Sequence, residues 1–524
     1  MKKREAINMD TMKIEKFSTR RELVSKIEQA AKTTDSTPVV ISLGAGKGDL
    51  EVYPASMRSN PKGGVFIAGK FNLRIALFIL GSETLRVMED YEGRTIASYS
   101  DFIIKKCRWS RAVARNVRKT FPEFAPAKGD NGSKNLAFGD VLGLTGRAQL
   151  KVFSGSAGLA FSRQCIHELR ELDIQPEDVM DRITFTVFQE GYQGGYAAEA
   201  CHLTSKDDVQ RMLDAGYTRF SIEPAEADLF DLRQKPKHEL LELMFEVPWI
   251  ALRDKFELML HRYKGHRIDI SAYEPSGYAE EDEPLVIIPS ESEVLAAIAM
   301  FAHVVLEMET IEEVFVREGM REHVYLDLSF DRSGGELTPF EHYFLMHELQ
   351  RHDAQPDFLG PGKPDKNHWK LAHHTNIRGL SGDIRFFNES PPTETGLKQH
   401  GIIPDIGYIT ALDCMIEKKP ELFRKLWDSS RNVFEEAKKE KGVQFEIHRI
   451  PESGNYEDSD LRKLLDLDHA HEFAKSTMSK VFLLKNEQGK RYFRQAVYDF
   501  LNEYEAFYID SLVKKYQNWL DRYF

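Results

Sequence analysis

The chain has 524 residues, 42% of them hydrophobic and 29% charged, and a formal net charge of -12. This is the composition of a soluble globular protein, long enough for two or three domains or for one large barrel with extensions. The acidic balance argues against a phosphate-backbone binder, so no nucleic-acid partner is expected.

The start, Met1 to Asn8, has no apolar core for a signal peptide, and a cytoplasmic location without a membrane partner is expected. Pro38 to Leu43 reads as a strand. Gly44-Ala45-Gly46-Lys47-Gly48 follows it and looks like the G-x-G-x-G loop of a methyltransferase fold. It lacks the GxxxxGK[ST] arrangement that cradles phosphates, and a plain tight turn is the competing reading. Gly63 to Ala68 leads into another strand. The basic run Lys105, Lys106, Arg108, Arg111, Arg115, Arg118 and Lys119 reads as a solvated helix face rather than a nucleic-acid site. Turn formers from Pro122 to Ser133 mark a linker, closing a first region over 1–133.

The middle region, 134–415, alternates strands and helices. Ile183 to Phe188 is β-branched and aromatic and reads as a buried strand, which would place Glu190 just past its C-terminal end. Ser205 to Asp208 is capping-box-like, the helix behind it runs through Leu213, and Gly216 stops it. Tyr217 to Ile222 is the next strand, a cadence that implies βαβ units and a parallel sheet. An inserted helical pair is expected around His238 to Lys264, and a long helix around Glu291 to Arg317. Its most apolar run, Val294 to Met308, is interrupted by His303 and Glu307 and reads as too short to span a bilayer. Val324 to Phe330 is a strand that delivers Asp331 to its end. From about 416 to 524 the chain reads as helical, with apolar faces at Leu461, Leu464, Leu465 and Leu467 and at Phe493, Val497, Phe500 and Leu501.

Cys107, Cys165, Cys201 and Cys414 include no CxxC pair, which argues against a structural zinc site and for reduced thiols. The densest polar cluster lies between Phe188 and His202, where Glu190, Glu199, Cys201 and His202 share one short unit with several glycines. Carboxylate and imidazole ligands suit a divalent cation acting as a Lewis acid on a sugar carbonyl or hydroxyl. Each of these residues also has a capping or core reading, and Cys201 reads as a small buried hydrophobe. Asp331 and Arg332 form either a catalytic loop or a surface pair; His342 is a ligand or a packing residue; His373 and His374 are further ligands or solvated loop groups.

Phe138-Gly139-Asp140-Val141-Leu142-Gly143-Leu144-Thr145 is similar to FGDRLGLTT of the tagaturonate/fructuronate epimerases of hexuronate catabolism. Arg163 to Glu168 resembles that family's QQSxRE, Phe188 to His202 its FQEGYxxGFGADADH, and Gly216 to Glu226 its GFTxFTIDPSD. The clear resemblance covers about Phe138 to Glu226, and a fainter one continues to the helical tail. It implies a TIM-barrel-like (β/α)8 core with an N-terminal α/β extension and a helical C-terminal region. It also implies metal-dependent epimerisation of a sugar acid or ketose at C4. In that reading His202, Glu199 and His342 hold the divalent ion, whose identity is open. Glu168, Glu190 and Asp331 move protons, and Arg163, Gln164, Glu226 and Arg385 meet the substrate. The family's VDET becomes Phe330-Asp331-Arg332-Ser333, its HSGSDK is distorted around Leu380 to Arg385, Ala474 stands where a later histidine falls, and Cys201 replaces an acid. Guanidinium has no lone pair for a metal. The alternative is therefore a family member with altered chemistry that acts as a carbohydrate-binding or regulatory protein. The glycine loop as a methyl-donor site is the third reading.

Overall fold

The computed structural model describes residues 12–33, 38–44, 48–72, 74–128, 134–140, 143–155, 158–171, 173–224, 229–270, 285–330, 335–383, 385, 387, 397–403, 406–429 and 492–523. The N-terminal part builds a mainly antiparallel sheet in the order Lys13–Ile14, Val39–Ser42, Asp49–Val52, Val65–Phe71, Arg74–Gly81, Ile103–Arg108, Arg94–Ser98. The helix Arg20–Thr33 supplies Leu23, Ile27 and Ala30, at helical spacing, to the core of one face with Ile41, Leu50, Ile67 and Phe78. Ser42 pairs with Asp49 in the antiparallel ladder, so the glycine loop turns a hairpin. A methyl-donor loop needs a strand running into a helix of a parallel sheet, whereas the antiparallel strand Asp49–Val52 follows here; residues 45–47 lie outside the described residues. The basic run is not a free helix face either. Lys105, Lys106 and Arg108 lie on a strand, while Arg111 reaches Asp178 at 2.9 Å and Arg118 reaches Thr184 at 2.6 Å.

Eight parallel strands then close a barrel: β1 Lys134–Gly139, β2 Gly158–Cys165, β3 Ala197–Leu203, β4 Arg219–Ile222, β5 Tyr325–Ser329, β6 Phe358–Gly360, β7 Gly379–Asp383 and β8 Lys398–Ile403. The expected TIM-barrel-like architecture is present. Outward residues such as Leu136, Phe138, Phe220, Leu326, Leu328 and Leu380 join the main hydrophobic core, which the surrounding helices complete.

One element differs in kind from the sequence reading. Ile183 to Phe188 lies within a helix, Pro176–Gln189, not a strand. Pro176 opens it, Glu177 and Asp178 complement its N-terminal dipole, and Val179, Met180, Ile183 and Val187 bury one face at helical spacing. Packing of that face overrides the β propensity of its threonines and phenylalanines. The chain then bends through Gly191 and Gly195, both at positive φ, into β3.

Between β4 and β5 come the helices Lys237–Leu243 and Phe256–Tyr263, then the 27-residue Glu291–Arg317, which opens with a Ser290–Glu293 capping box. By length and composition this last helix is able to cross a membrane, beyond the shorter span read from its apolar run; 67% of its most apolar window is buried in the fold. It is a core helix. Tyr492–Glu503 and Glu505–Tyr523 end the chain, with Tyr516 packed edge-on against Phe138 and Phe153 at 5.8 Å. The stretch Leu461 to Leu467 lies outside the described residues.

Candidate active site in the barrel mouth and lumen

Alternation along the strands sends one set of side chains outward to the helices and the other into the lumen. In a typical barrel the lumen is filled by branched aliphatics. Here it is polar. Glu199 of β3, Arg219 of β4, Asp327 of β5, Ser381 of β7, His400 of β8 and Asn135 of β1 are all buried.

Glu199 is the hub. It accepts a hydrogen bond from Arg163 Nε at 2.9 Å and one from His400 Nε2 at 2.7 Å, and Arg219 Nε lies 3.5 Å away. Burial opposes ionisation of this carboxyl, but the His400 hydrogen bond and the charges of Arg163 and Arg219 outweigh it and hold its pKa at about 2. His400 moves the other way. Burial, helped by Arg219, brings its pKa down to about 4, so a neutral imidazole donates to an ionised Glu199. Arg219 stacks over Phe358, 4.2 Å from the ring centroid, which replaces part of its lost hydration. Asp327 accepts from Ser381 Oγ at 2.6 Å, and burial raises its pKa to about 6 against the pull of Arg219 and Ser381.

The mouth, at the C-terminal ends of the strands, carries the more accessible groups. His202, near the end of β3, has φ +56° and places Nδ1 2.9 Å from Glu223 Oε2, just past β4. Arg163 of β2 leans over Glu199. Glu168 stands on the helix Ile166–Glu171 that follows β2 directly. Arg385, past β7, donates from Nε to Asp383 Oδ1 at 2.9 Å. Gln164 is buried and donates to the Asp140 carbonyl at 2.8 Å, while the Asp140 carboxylate accepts the backbone N–H groups of Gly143, Leu144 and Thr145. That motif therefore secures a loop.

Two expected site residues stand elsewhere. Glu190 caps the Pro176–Gln189 helix and binds Arg147, which also donates to Glu505 at 2.7 Å; Lys70 closes on the other Glu505 oxygen. Glu190 thus sits where the N-terminal sheet, a barrel helix and the last helix meet, because the segment before it is a helix rather than a barrel strand. His342 is fully buried on the helix Pro339–Arg351, its ring stacked on His368 at 5.6 Å, and burial keeps it neutral. Glu226, Asp331, Arg332 and Ala474 lie outside the described residues.

The proposed ion ligands accordingly do not converge. Glu199 is committed to the lumen network, His342 to a helix seam and His202 to Glu223, and among the described residues no three His, Cys, Asp or Glu side chains group to hold an ion. His202, Glu199 and His342 therefore do not form one donor set. Cys201 is buried, and burial pushes its thiol well above the ordinary range, as befits a small core residue. The sequence reading missed Asp327, Ser381, His400 and Arg219. Its one available signal was a polar residue at every second position of Asp327-Leu328-Ser329.

Comparison with known proteins bears on this arrangement. A curated relative, tagaturonate/fructuronate epimerase of Thermotoga maritima, is 22% identical over 488 residues, covering 86% of this chain and 95% of the relative. The glycerol-complexed crystal structure of fructuronate-tagaturonate epimerase UxaE from Cohnella laeviribosi matches with a TM-score of 0.74 at 19% identity, over 94% of this chain and 97% of that one. The native crystal structure of the same enzyme matches with a TM-score of 0.74 over 90% and 96%. At these identities the solved structures establish the fold. The family model described as tagaturonate epimerase matches residues 53–362 and 397–523, which takes in every barrel strand except β7 and both final helices. The chain belongs to the tagaturonate epimerase family.

Proposed function

We propose that the chain interconverts keto-hexuronates of the tagaturonate and fructuronate type by inverting one hydroxyl-bearing carbon at the barrel mouth. Family membership supports the reaction class, and the names of the relatives support the substrate class. The observation that carries the reading is the pairing of His202 with Glu223 on adjacent strand ends, beside Arg163 held over the ionised Glu199.

An inverting reaction on a sugar acid needs a carboxylate anchor and a group that takes and returns a proton. Arg163 and Arg385 are the anchors, since guanidinium matches a carboxylate in charge and in bidentate geometry. Glu199 fixes the Arg163 stem and Asp383 fixes Arg385, so neither arm needs ordering when substrate arrives. His202 is the proton-transfer group, oriented by Glu223, with Glu168 the second acid or base near Arg163.

Turnover of tagaturonate, fructuronate and neutral ketohexoses, with and without a chelator and a divalent-metal panel, tests the proposal. Interconversion of the two hexuronates and inactivity on neutral sugars is the expected result. Tight calorimetric binding without turnover would favour the carbohydrate-binding alternative.

A further inference from the structure

The inward residues of β5 through β1 form one continuous polar row. Ser329 pairs in register with Gly360, Ser381 with His400, and His400 with Asn135. A Cβ placed on Gly360 would stand 3.0 Å from both Ser329 Oγ and Ser381 Oγ, so only a glycine lets both hydroxyls close over β6. Strand tilt turns this row into a descending spiral. Ser329 is the last residue of β5, Ser381 lies midway along β7 and Asn135 stands near the start of β1.

Along the spiral, buried polar atoms lack protein partners among the described residues: Asp327 Oδ2, His400 Nδ1, Arg219 Nη2 and both side-chain atoms of Asn135. Leaving such atoms unsatisfied costs about 1–3 kcal/mol each. Four strands offering facing donors and acceptors in one lumen match what buried water requires, a polar site with two to four partners per molecule.

The geometry points to a hydrated proton path that descends from the mouth past Ser329, Gly360 and Ser381 to Asp327, which holds the proton the reaction exchanges. Transfer between the water, Ser381 and Asp327 makes and breaks only O–H bonds, and the proton enters from an N–H of His202 at the mouth. Water hydrogen-bonded between the Ser329 and Ser381 hydroxyls gives a proton to Ser381 Oγ as Ser381 passes its own to the Asp327 carboxylate. The water regains a proton from the mouth, where the His202–Glu223 pair took it from substrate, and the return leg reverses each step. Asp327 acts through this relay and is a positioning residue. The charged groups facing it are Arg219 on the neighbouring strand and Glu199 and Arg163 across the lumen. Burial, set against the two arginine charges, raises its pKa to about 6.

The catalytic part rests on the proposed function; the path itself does not, and the two are separable. Infrared spectra of the wild-type protein in water and D2O should show a buried carboxylic acid band that titrates, exchanges rapidly and is lost in Asp327→Asn. Gly360→Ala, whose methyl crowds both hydroxyls and touches no titratable group, should leave the band and abolish its rapid exchange. If hexuronate turnover is present, both variants should lose about 10²-fold in kcat with KM unchanged, and Asp327→Asn should also lose the acidic limb of the kcat–pH profile. Melting temperatures of both variants control for misfolding. Rapid exchange surviving in Gly360→Ala, or no band assignable to Asp327, overturns the path whether or not turnover is found. Turnover absent with the band and its exchange intact overturns only the proposed function.

Discussion

His400 donates its Nε2 hydrogen to Glu199 Oε2 across 2.7 Å, with neither side chain exposed to solvent. The two partners titrate in ways that add. Glu199 has a folded pKa of about 2 against an ordinary 4.5, so its contribution is complete above 4.5 and vanishes as pH falls towards 2. His400 is lowered from 6.5 to about 4, so the neutral ring favours the fold above 6.5 and that contribution drains away as pH falls through 4. Acid therefore weakens the barrel from both sides of one hydrogen bond. Denaturation midpoints measured from pH 7 to pH 4 should fall, and His400→Gln should flatten the upper part of that curve.

Removing the hub is costlier than titrating it. Glu199→Gln leaves Arg163 and Arg219 facing one another in the lumen without their shared counter-charge. Breaking a buried pair in this way costs about 3–5 kcal/mol. Urea unfolding should show a loss of this size, and a loss below about 1 kcal/mol would mean that water already screens the lumen arginines.

The seam around Glu505 gives a prediction of the opposite kind, stability without chemistry. Glu505 bridges Lys70 of the N-terminal sheet and Arg147 of a barrel helix, and Glu190 shares Arg147. Glu505→Gln should cost about 2 kcal/mol, the scale of a hydrogen bond to a charged group. Glu190→Gln should likewise lower the melting temperature and leave kcat unchanged. A kcat loss in Glu190→Gln without loss of stability would return Glu190 to the reaction.

What the sequence made legible follows from the range of the interactions concerned. Ser205 and Gly216 announce their helix boundaries because caps and stops are local chemistry. The helix Pro176–Gln189 was misread because threonines and phenylalanines at its C-terminal end favour strands, while Val179 and Met180, which set the helical spacing, lie before that stretch. The helix carries Glu190 to the seam, on Arg147, rather than to the mouth. Motif resemblance singled out His202 and Arg163, which stand near the C-terminal ends of β3 and β2. It gave no access to the Glu199–His400 contact, which joins positions 201 residues apart and exists only once β8 has closed on β1.

His202 offers the sharpest separation of backbone from side-chain effects at the mouth. Its φ of +56° lies in the left-handed region, which Asn, Asp and His adopt more readily than other non-glycine residues. His202→Ala therefore removes the imidazole and also leaves a residue poorly suited to that backbone. His202→Asn removes the imidazole but tolerates the conformation. If the ring transfers the proton, both variants should lose about 10²–10⁴-fold in kcat, with the Asn variant melting nearer the wild type. If the role is only to hold the turn between β3 and the next helix, Asn should restore most of the activity that Ala removes. Glu223→Gln completes the set: its amide oxygen still accepts from Nδ1 but its charge is gone, so a loss of only about tenfold is expected. Activity in His202→Asn equal to the wild type would remove His202 from the reaction and leave Glu168 as the group to vary next.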